Sequence, residues 1–344
     1  MSRGRFLEIP SQISQRSRSL SPSFQQSNPF FPLSAQDGSL YRHTDANGWR
    51  PFPIPRSAFG VVELDHTIPK FQVITWNIEF SAPHIEERTN GILDYIWNYT
   101  LELNSQTLGR IPTILLFQEV SAEAFLAFLS HPFIRFNYDL TDINRRNFDS
   151  HYGTITCIPR PLTPFVTAIN RVPFENSIMG RDALIIDLDL PHFPSFRHSF
   201  PYRPNISRIR ICNTHLESLR GRGDSARPKQ LQHISQLLFS ADGGLVAGDM
   251  NAIAPTDDPA PSALGFADAW EVVHPQAFPV DGHTWGYQPP SRRYPPRRLD
   301  KVLFLGNLTP VSIERLGVGR RVEAEGSSAW LSDHYGLLAQ FTVG

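Results

Sequence analysis

From residue 69 to the C-terminus, short apolar bursts are separated by polar joints containing Gly and Pro, and the period inside each burst names its element. KFQVITWNIE (70–79) alternates well enough for a strand, and Ile85, Ile92, Ile96 and Tyr99 follow at helical spacing. TILLFQEV (113–120) is a strongly apolar strand, and Ser121 is placed to cap a short helix in AEAFLAFL (122–129). Further strands are predicted at YGTITCIP (152–159), PFVTAINRV (164–172), ALIIDLDL (183–190) and RIRICNTHLE (208–217). Pro228 suits the first turn of a helix continuing through Leu231, Ile234, Leu237 and Leu238. GLVAGDMN (244–251), RLDKVLFL (298–305) and HYGLLAQFTV (334–343) complete the strands. Several are apolar on both faces, which implies sheets covered on each side: two packed sheets flanked by helices, an α/β sandwich.

Residues 1–68 read differently. SQISQRSRSLSPSFQQSNPF is rich in Ser, Gln and Arg and poor in aliphatics, and GWRPFPIPR adds prolines that favour extended backbone. A disordered leader over 1–68 and one folded domain over 69–344 are therefore expected. The chain of 344 residues is 40% hydrophobic and has a formal net charge of -1, so it can bury a large core and its global charge selects no partner. Cys157 and Cys212 lie far apart inside apolar runs, which argues against a disulfide framework and for an intracellular setting. Neither a signal-peptide core nor a membrane span is expected.

The strand ends carry the candidate chemistry. Residues two apart on a strand share a face, so Leu245, Ala247, Asp249 and Asn251 line up, and an apolar face turns polar at its end. The same change recurs at Thr75, Asn77 and Glu79, at Gln118 and Glu119, and at Asn213, His215 and Glu217. Asp300 begins another strand, and Asp333 with His334 precedes the last one. One such residue is commonly a satisfied turn. Six segments ending in carboxylate, amide or imidazole suit hydrolysis of a phosphate ester, with oxygen donors for a hard cation such as Mg²⁺. A zinc-spaced Cys/His cluster, a Gly-rich phosphate loop followed by Lys and a G-x-S-x-G elbow are absent from the sequence.

At these positions the chain resembles the endonuclease/exonuclease/phosphatase superfamily, and within it the tyrosyl-DNA phosphodiesterase 2 (TDP2) branch. The resemblance lies in TWNIE, LLFQEV, NTHLESLRG, AGDMN, DAWEVV, HTWGYQ, RRLDKVLF and LSDHYGLL, in the family's order, and covers residues 69–344. It implies a four-layer sandwich of two mainly antiparallel sheets. It further implies a Mg²⁺-dependent phosphodiesterase, with Mn²⁺ as the alternative ion, that frees DNA 5′ ends of a tyrosine- or peptide-linked adduct and leaves a 5′ phosphate. By the same resemblance Glu119 is the main metal ligand, Glu79 stands where the family usually has Asp, and Asp249 positions and deprotonates water. Asn77 and Asn251 fix that water and the phosphate, and His334, oriented by Asp300, stabilises phosphoryl charge. His215, Ser218 and Arg220 grip the 5′ end, and Trp285 and Tyr138 are candidates for stacking on bases. A nuclear location is expected, with the cytoplasm as the alternative.

Two departures matter. The family usually carries Arg two residues after the asparagine of GDxN, where this chain has Ile253, and the basic loop SRRYPPRR (Arg292, Arg293, Arg297, Arg298) is a candidate compensation. The leader shows no sign of the small ubiquitin-binding domain of some relatives. Trp76 and Trp270 read as packing residues, Glu217 as a turn-shaping carboxylate, and Arg181 as a loop pin or an ion-pair partner. The rival functions are another hydrolase of the superfamily and an inactive relative that binds DNA ends or a protein. The second is disfavoured because Asn77, Glu119, Asp249, Asn251, Asp300 and His334 are all present.

Overall fold

The computed structural model describes residues 36–54, 68, 70–106, 111–192 and 205–344. Every strand anticipated above is present. One sheet of seven strands has the order Gln36–Asp37, Val166–Pro173, Asp182–His192, Asn205–His215, Gly243–Asp249, Asp300–Gly306, Ala267–Asp268. A second sheet of eight has the order Leu308–Leu316, Gly336–Val343, Lys70–Asn77, Thr113–Val120, Gly153–Pro159, Tyr138–Leu140, Leu40–Thr44, Gly48–Phe52. Within them, Lys70–Asn77 pairs parallel with Thr113–Val120, and Asn205–His215 pairs parallel with Gly243–Asp249. The other pairs are antiparallel.

Three apolar clusters define the layers. Between the sheets, Phe71, Val73, Leu116, Ile186, Ile211, Leu245, Val302 and Phe341 form a buried core. The outer face of the eight-stranded sheet packs Ile74, Leu115 and Phe117 against Ile92, Leu93 and Ile96 of the helix Ile85–Gln106 and against Phe125 and Phe128 of Ala122–Ser130. The outer face of the seven-stranded sheet buries Ile185, Cys212, Val246 and Leu303 under Leu231, Ile234 and Leu238 of Arg222–Leu238. The alternation of single strands sends neighbouring residues into different clusters, which is why both faces are apolar. The result is the four-layer α/β sandwich.

Two boundaries differ from expectation. The helix carrying Pro228 begins at Arg222 rather than near the proline, after Gly221 at φ 81°, whose N–H donates to Asp224 Oδ2 at 3.0 Å. Part of the expected leader belongs to the domain: Leu40–Thr44 and Gly48–Phe52 form a hairpin on the edge of the eight-stranded sheet. It is anchored by fully buried Leu40, by the Trp49 indole donating to Leu129 O, and by the Arg42 guanidinium forked onto Asp139 at 2.8 and 2.5 Å. An amphipathic edge hairpin closed by a Gly turn lacks the long apolar run that betrays a central strand. Residues 1–35 and 55–67 of the expected leader lie outside the described residues.

Candidate active site

Strand register does the first part of the assembly. His215 stands opposite Asp249 across the parallel pair, and Asp249 stands opposite Asp300 across the next antiparallel pair. In the other sheet Asn77 is opposite Gln118. Face-to-face packing then joins the sheets at this end: Asn77 Nδ2 donates to Asp249 Oδ2 at 3.1 Å, and Gln118 Nε2 donates to Asn213 Oδ1 at 2.8 Å. The approach of the parallel strands needs Gly248, since a Cβ there would lie 1.8 Å from Thr214 O.

At the ends of the strands the backbone turns sharply. Glu79, Glu119 and Asn251 adopt φ values of 58°, 61° and 46°, a region that costs non-glycine residues conformational energy. Each is held there by local hydrogen bonds. Glu79 N–H donates to Asn77 Oδ1 at 3.0 Å, Phe80 N–H donates to Glu119 Oε2 at 2.9 Å, and Asn251 N–H donates to Asp249 Oδ1 at 2.8 Å. Asn77 Nδ2 also donates to Glu119 Oε1 at 3.2 Å, and Asn251 Nδ2 donates to Leu216 O at 3.0 Å.

Asp249 sits between two histidines in opposite protonation states. Arg181 Nη1 lies 2.9 Å from His215 Nδ1. A guanidinium has only donors, so Nδ1 accepts, and the ring proton is on Nε2, 3.3 Å from Asp249 Oδ2. Burial, with the nearby charges of Arg181 and His334, holds the His215 pKa well below the ordinary imidazole value. On the other side, His334 Nδ1 is 2.7 Å from Asp300 Oδ2, and its Nε2 is 3.8 Å from Asp249 Oδ2. Burial opposes the charge on His334, but Asp300, Asp333 and Asp249 together push its pKa well above the ordinary value. His334 is thus an imidazolium and His215 a neutral donor. Burial raises Asp249 to about 6, against the opposing pull of His334.

A second carboxylate group adjoins it. Glu79 Oε2 accepts from Arg88 Nη2 at 2.7 Å and from Asp333 N–H at 3.1 Å. Burial and the charge of Asp333 raise Glu79 to about 7, and burial also raises Glu119. Ligand atoms of Asp249, Asp300 and His334 lie within 4.8 Å of one another. That trio is a poor metal cage, because an imidazolium presents protons where a metal needs a lone pair. Glu79, Glu119 and Asp333 repel one another electrostatically, and their oxygens are the donor type a hard divalent cation takes.

Other expected positions divide. Ser218 is half-buried and accepts from Arg181 Nη2 at 3.1 Å, whereas Arg220 stands in solvent. Trp285 is half-buried at the rim, its indole donating to Asp333 Oδ2 at 2.8 Å and its backbone bridging to His334. Tyr138, expected to stack on bases, is instead 4% exposed in the core, edge-to-face with Phe133, because its strand lies inside the sheet under helix Pro132–Asn137. Within the basic loop, Arg298 is already neutralised by Asp268 and Glu271 at 2.6 and 2.7 Å. Glu217 shapes the loop next to the site: it accepts from Ser177 Oγ, Ile178 N–H and Gln230 Nε2. Trp76 is fully buried and donates to His334 O at 3.1 Å.

Several supporting residues gave no sequence signal of their own. Ser332 Oγ donates to Asn77 O at 2.6 Å and accepts from His334 N–H at 3.1 Å, tying the final loop to the first strand. Thr284 Oγ1 accepts the N–H groups of Leu299 and Asp300. Arg88, one turn into a helix, spans the carbonyls of Ile78, Glu79 and Trp330. Their partners are distant in sequence, and only a three-dimensional arrangement marks them.

No family model and no curated protein sequence matches the chain. Solved structures do. A humanized D. rerio TDP2 carrying 14 mutations superposes with a TM-score of 0.59 over 80% of this chain and 100% of that one, at 19% identity. D. rerio TDP2 complexed with a single-strand DNA product gives 0.58 over 80% and 99%, also at 19% identity. The endonuclease/exonuclease/phosphatase from Bacteroides vulgatus gives 0.54 over 80% and 99%, at 16% identity. With its paired sheets and its helix layers, the chain has the endonuclease/exonuclease/phosphatase fold seen in these TDP2 structures.

Proposed function

We propose that the protein is a divalent-metal-dependent phosphodiesterase that hydrolyses 5′-phosphotyrosyl linkages at DNA ends and leaves a 5′ phosphate. The carrying observation is Asp249 held between a neutral His215 and a charged His334–Asp300 pair. Phosphodiester hydrolysis needs an oriented water, a base for its proton and donors for the developing phosphoryl charge. Asp249 is the base: its free-energy balance between carboxylate and acid is set near neutrality by burial. Asn77 and His215 donate to it and fix its orientation, and Asn251 is held beside it. His334 directs positive charge into the same space, and Asp300 keeps it protonated. Glu119 and Glu79 would hold Mg²⁺ or Mn²⁺, which when bound neutralises non-bridging phosphate oxygens.

The tyrosyl-DNA substrate rests on the sequence motifs and the likeness to TDP2, one of whose structures contains a single-strand DNA product. A phenolate leaves readily, since its conjugate acid has a pKa near 10, so a site with one metal and one imidazolium suffices. Ile253, at the position where the family carries Arg, favours a second reading in which the leaving group differs and the substrate is another DNA, RNA or small phosphate ester. A DNA substrate would place the protein in the nucleus. Among the described residues no helix is long and apolar enough to cross a membrane.

The test is release of 5′-phosphate DNA from a single strand bearing 5′-phosphotyrosine, run with Mg²⁺, with EDTA and with Asp249→Asn, beside an abasic-site duplex and an RNA strand. Metal-dependent cleavage of the tyrosyl strand, lost in Asp249→Asn, is expected. Cleavage of only the RNA or abasic substrate would replace the tyrosyl reading with the second one, and full activity in Asp249→Asn would remove the base from the mechanism.

A further inference from the structure

The strand Asp300–Gly306 separates two environments. Successive side chains on a strand point to opposite faces. Val302 and Phe304 join the core between the sheets, and Leu303 joins the outer cluster under Arg222–Leu238. Asp300 accordingly faces inward to His334, and Lys301 faces outward on the side of Leu303. There Lys301 reaches a cleft of about 470 Å³ that Ala252, Trp270, His274, Phe278 and Arg297 also line. The backbone of Trp285 bridges both to Arg297 and to His334, so one segment divides this cleft from the candidate catalytic cluster.

Positive charge is in excess in the cleft. Lys301 is 6% exposed, yet its ammonium makes no hydrogen bond to a described residue, and the one carboxylate near it, Asp268, is 3.7 Å away. The same Asp268 oxygen already accepts from Arg298 Nη1 at 2.6 Å, and the other accepts from Trp270 N–H at 3.0 Å. Half-buried Arg297 has no side-chain hydrogen bond or ion pair with a described residue. On the rim, Glu271 is spent on Arg298 at 2.7 Å, and Asp258 stands in solvent. Burial and the charge of Arg298 hold the Lys301 pKa below the ordinary lysine value, and burial with Arg315, Arg297 and Arg298 lowers that of neighbouring His283. A buried ammonium short of hydrogen-bond partners is costly. Beside it the half-buried Trp270 ring, 4.6 Å from the His274 ring, forms an aromatic wall, and Phe278 is 75% exposed.

We propose that this cleft on the outer face of the seven-stranded sheet is a second ligand site, separate from the candidate active site, that binds a nucleoside monophosphate. Lys301 and Arg297 take the phosphate, one as a point charge and the other as a fork, and the base lies against Trp270 and Phe278. Unpaired cations beside an aromatic wall are the combination that a phosphate joined to a heteroaromatic ring requires. The volume falls in the range of small-molecule sites, about 300–1,000 Å³. The assignment uses none of the residues proposed to hydrolyse the diester and stands independently of that reaction.

Titration calorimetry of the full chain in EDTA, with dAMP as the probe and deoxyadenosine and inorganic phosphate as its separate halves, tests the site without turnover. dAMP is expected to bind more tightly than either half. Its affinity is expected to fall at least about tenfold in Lys301→Met and in Arg297→Gln, and to stay within about twofold of wild type in Asp249→Asn. Arg297→Gln changes a half-buried side chain without a described partner, so it answers the question even if Lys301→Met does not fold. A 5′-phosphorylated tetradeoxynucleotide distinguishes the two sources of the ligand. Strand binding that ignores both substitutions supports a free mononucleotide in the cleft, and strand binding that weakens with dAMP binding supports a nucleotide within a chain. No dAMP binding at millimolar concentration, binding unchanged in both cleft variants, or binding abolished by Asp249→Asn would overturn the proposal.

Discussion

His334 Nδ1 and Asp300 Oδ2 are 2.7 Å apart, and the other oxygen of that fully buried aspartate, Oδ1, has no partner. All the hydrogen bonding of the Asp300 carboxylate is thus spent on one imidazole, which its charge keeps protonated. Asp300→Asn keeps the size of the side chain and removes that charge. Turnover is expected to fall about 10²–10³-fold, the usual cost of losing one transition-state donor, with a thermal midpoint close to wild type. Steady-state kinetics beside a melting curve checks this, and activity within a few-fold of wild type would remove Asp300 from the mechanism.

The pH dependence follows from two shifts of the same sign on groups with opposite tasks. In the proposed reaction Asp249 must be ionised to take a proton, and burial lifts it to about 6, so activity is expected to be lost as pH falls through that value rather than through the ordinary carboxylate range. The same proposal needs His334 protonated, and its pKa is raised well above the usual 6.5, so the acid form persists through neutrality and is lost only on the alkaline side. A kcat profile rising between about pH 5 and 7 to a neutral plateau is expected, as one apparent value for the interacting set. In Asp300→Asn the alkaline limb should move down toward neutrality. An acid limb near 4 would contradict the assignment of Asp249 as base.

Arg88 organises the loop that carries Glu79 from behind. Its guanidinium, 2% exposed, holds the Glu79 carboxylate and three backbone carbonyls at 2.7–3.0 Å. Arg88→Met leaves those acceptors buried and unpaired, and a loss of about 3–5 kcal/mol is expected from breaking a buried pair on one side. Urea denaturation measures it. A loss below 1 kcal/mol would mean that the loop relaxes into water and that Arg88 is dispensable.

Gly248→Ala probes the close approach that brings His215 beside Asp249. The added Cβ would meet Thr214 O, a backbone atom that cannot swing aside, and φ is 149° there. Overpacking of this kind costs about 1–3 kcal/mol, and the strands must separate to absorb it. Lower stability and lower kcat together are expected. A variant with wild-type stability and kcat would show that the parallel pair tolerates a wider spacing.

Much of this architecture was legible in the chain. Apolar runs such as TILLFQEV and ALIIDLDL contain enough β-branched and aliphatic residues to name buried strands, and the polar residue that ends each run marks the side where the site opens. The hairpin at Leu40–Phe52 was not legible, because an edge strand with one wet face carries Arg, His and Pro. Tyr138 was misread for the opposite reason. A tyrosine reads the same in a core as on a base-stacking surface, and only the packing of Phe133 and its neighbours around it places it.

Sequence by itself determined the strands, their two-sided burial, the donors at their ends and the oxygen-rich chemistry those donors suit. It could not determine their protonation. His215 and His334 are both histidines at strand ends, yet one is neutral and the other charged, because Arg181 faces the first and Asp300 the second. Desolvation and charge interactions depend on distances across two sheets, between residues as far apart in the chain as Asn77 and Asp249. Which arginine is buried against His215, and which stands in solvent, was decided by the same packing.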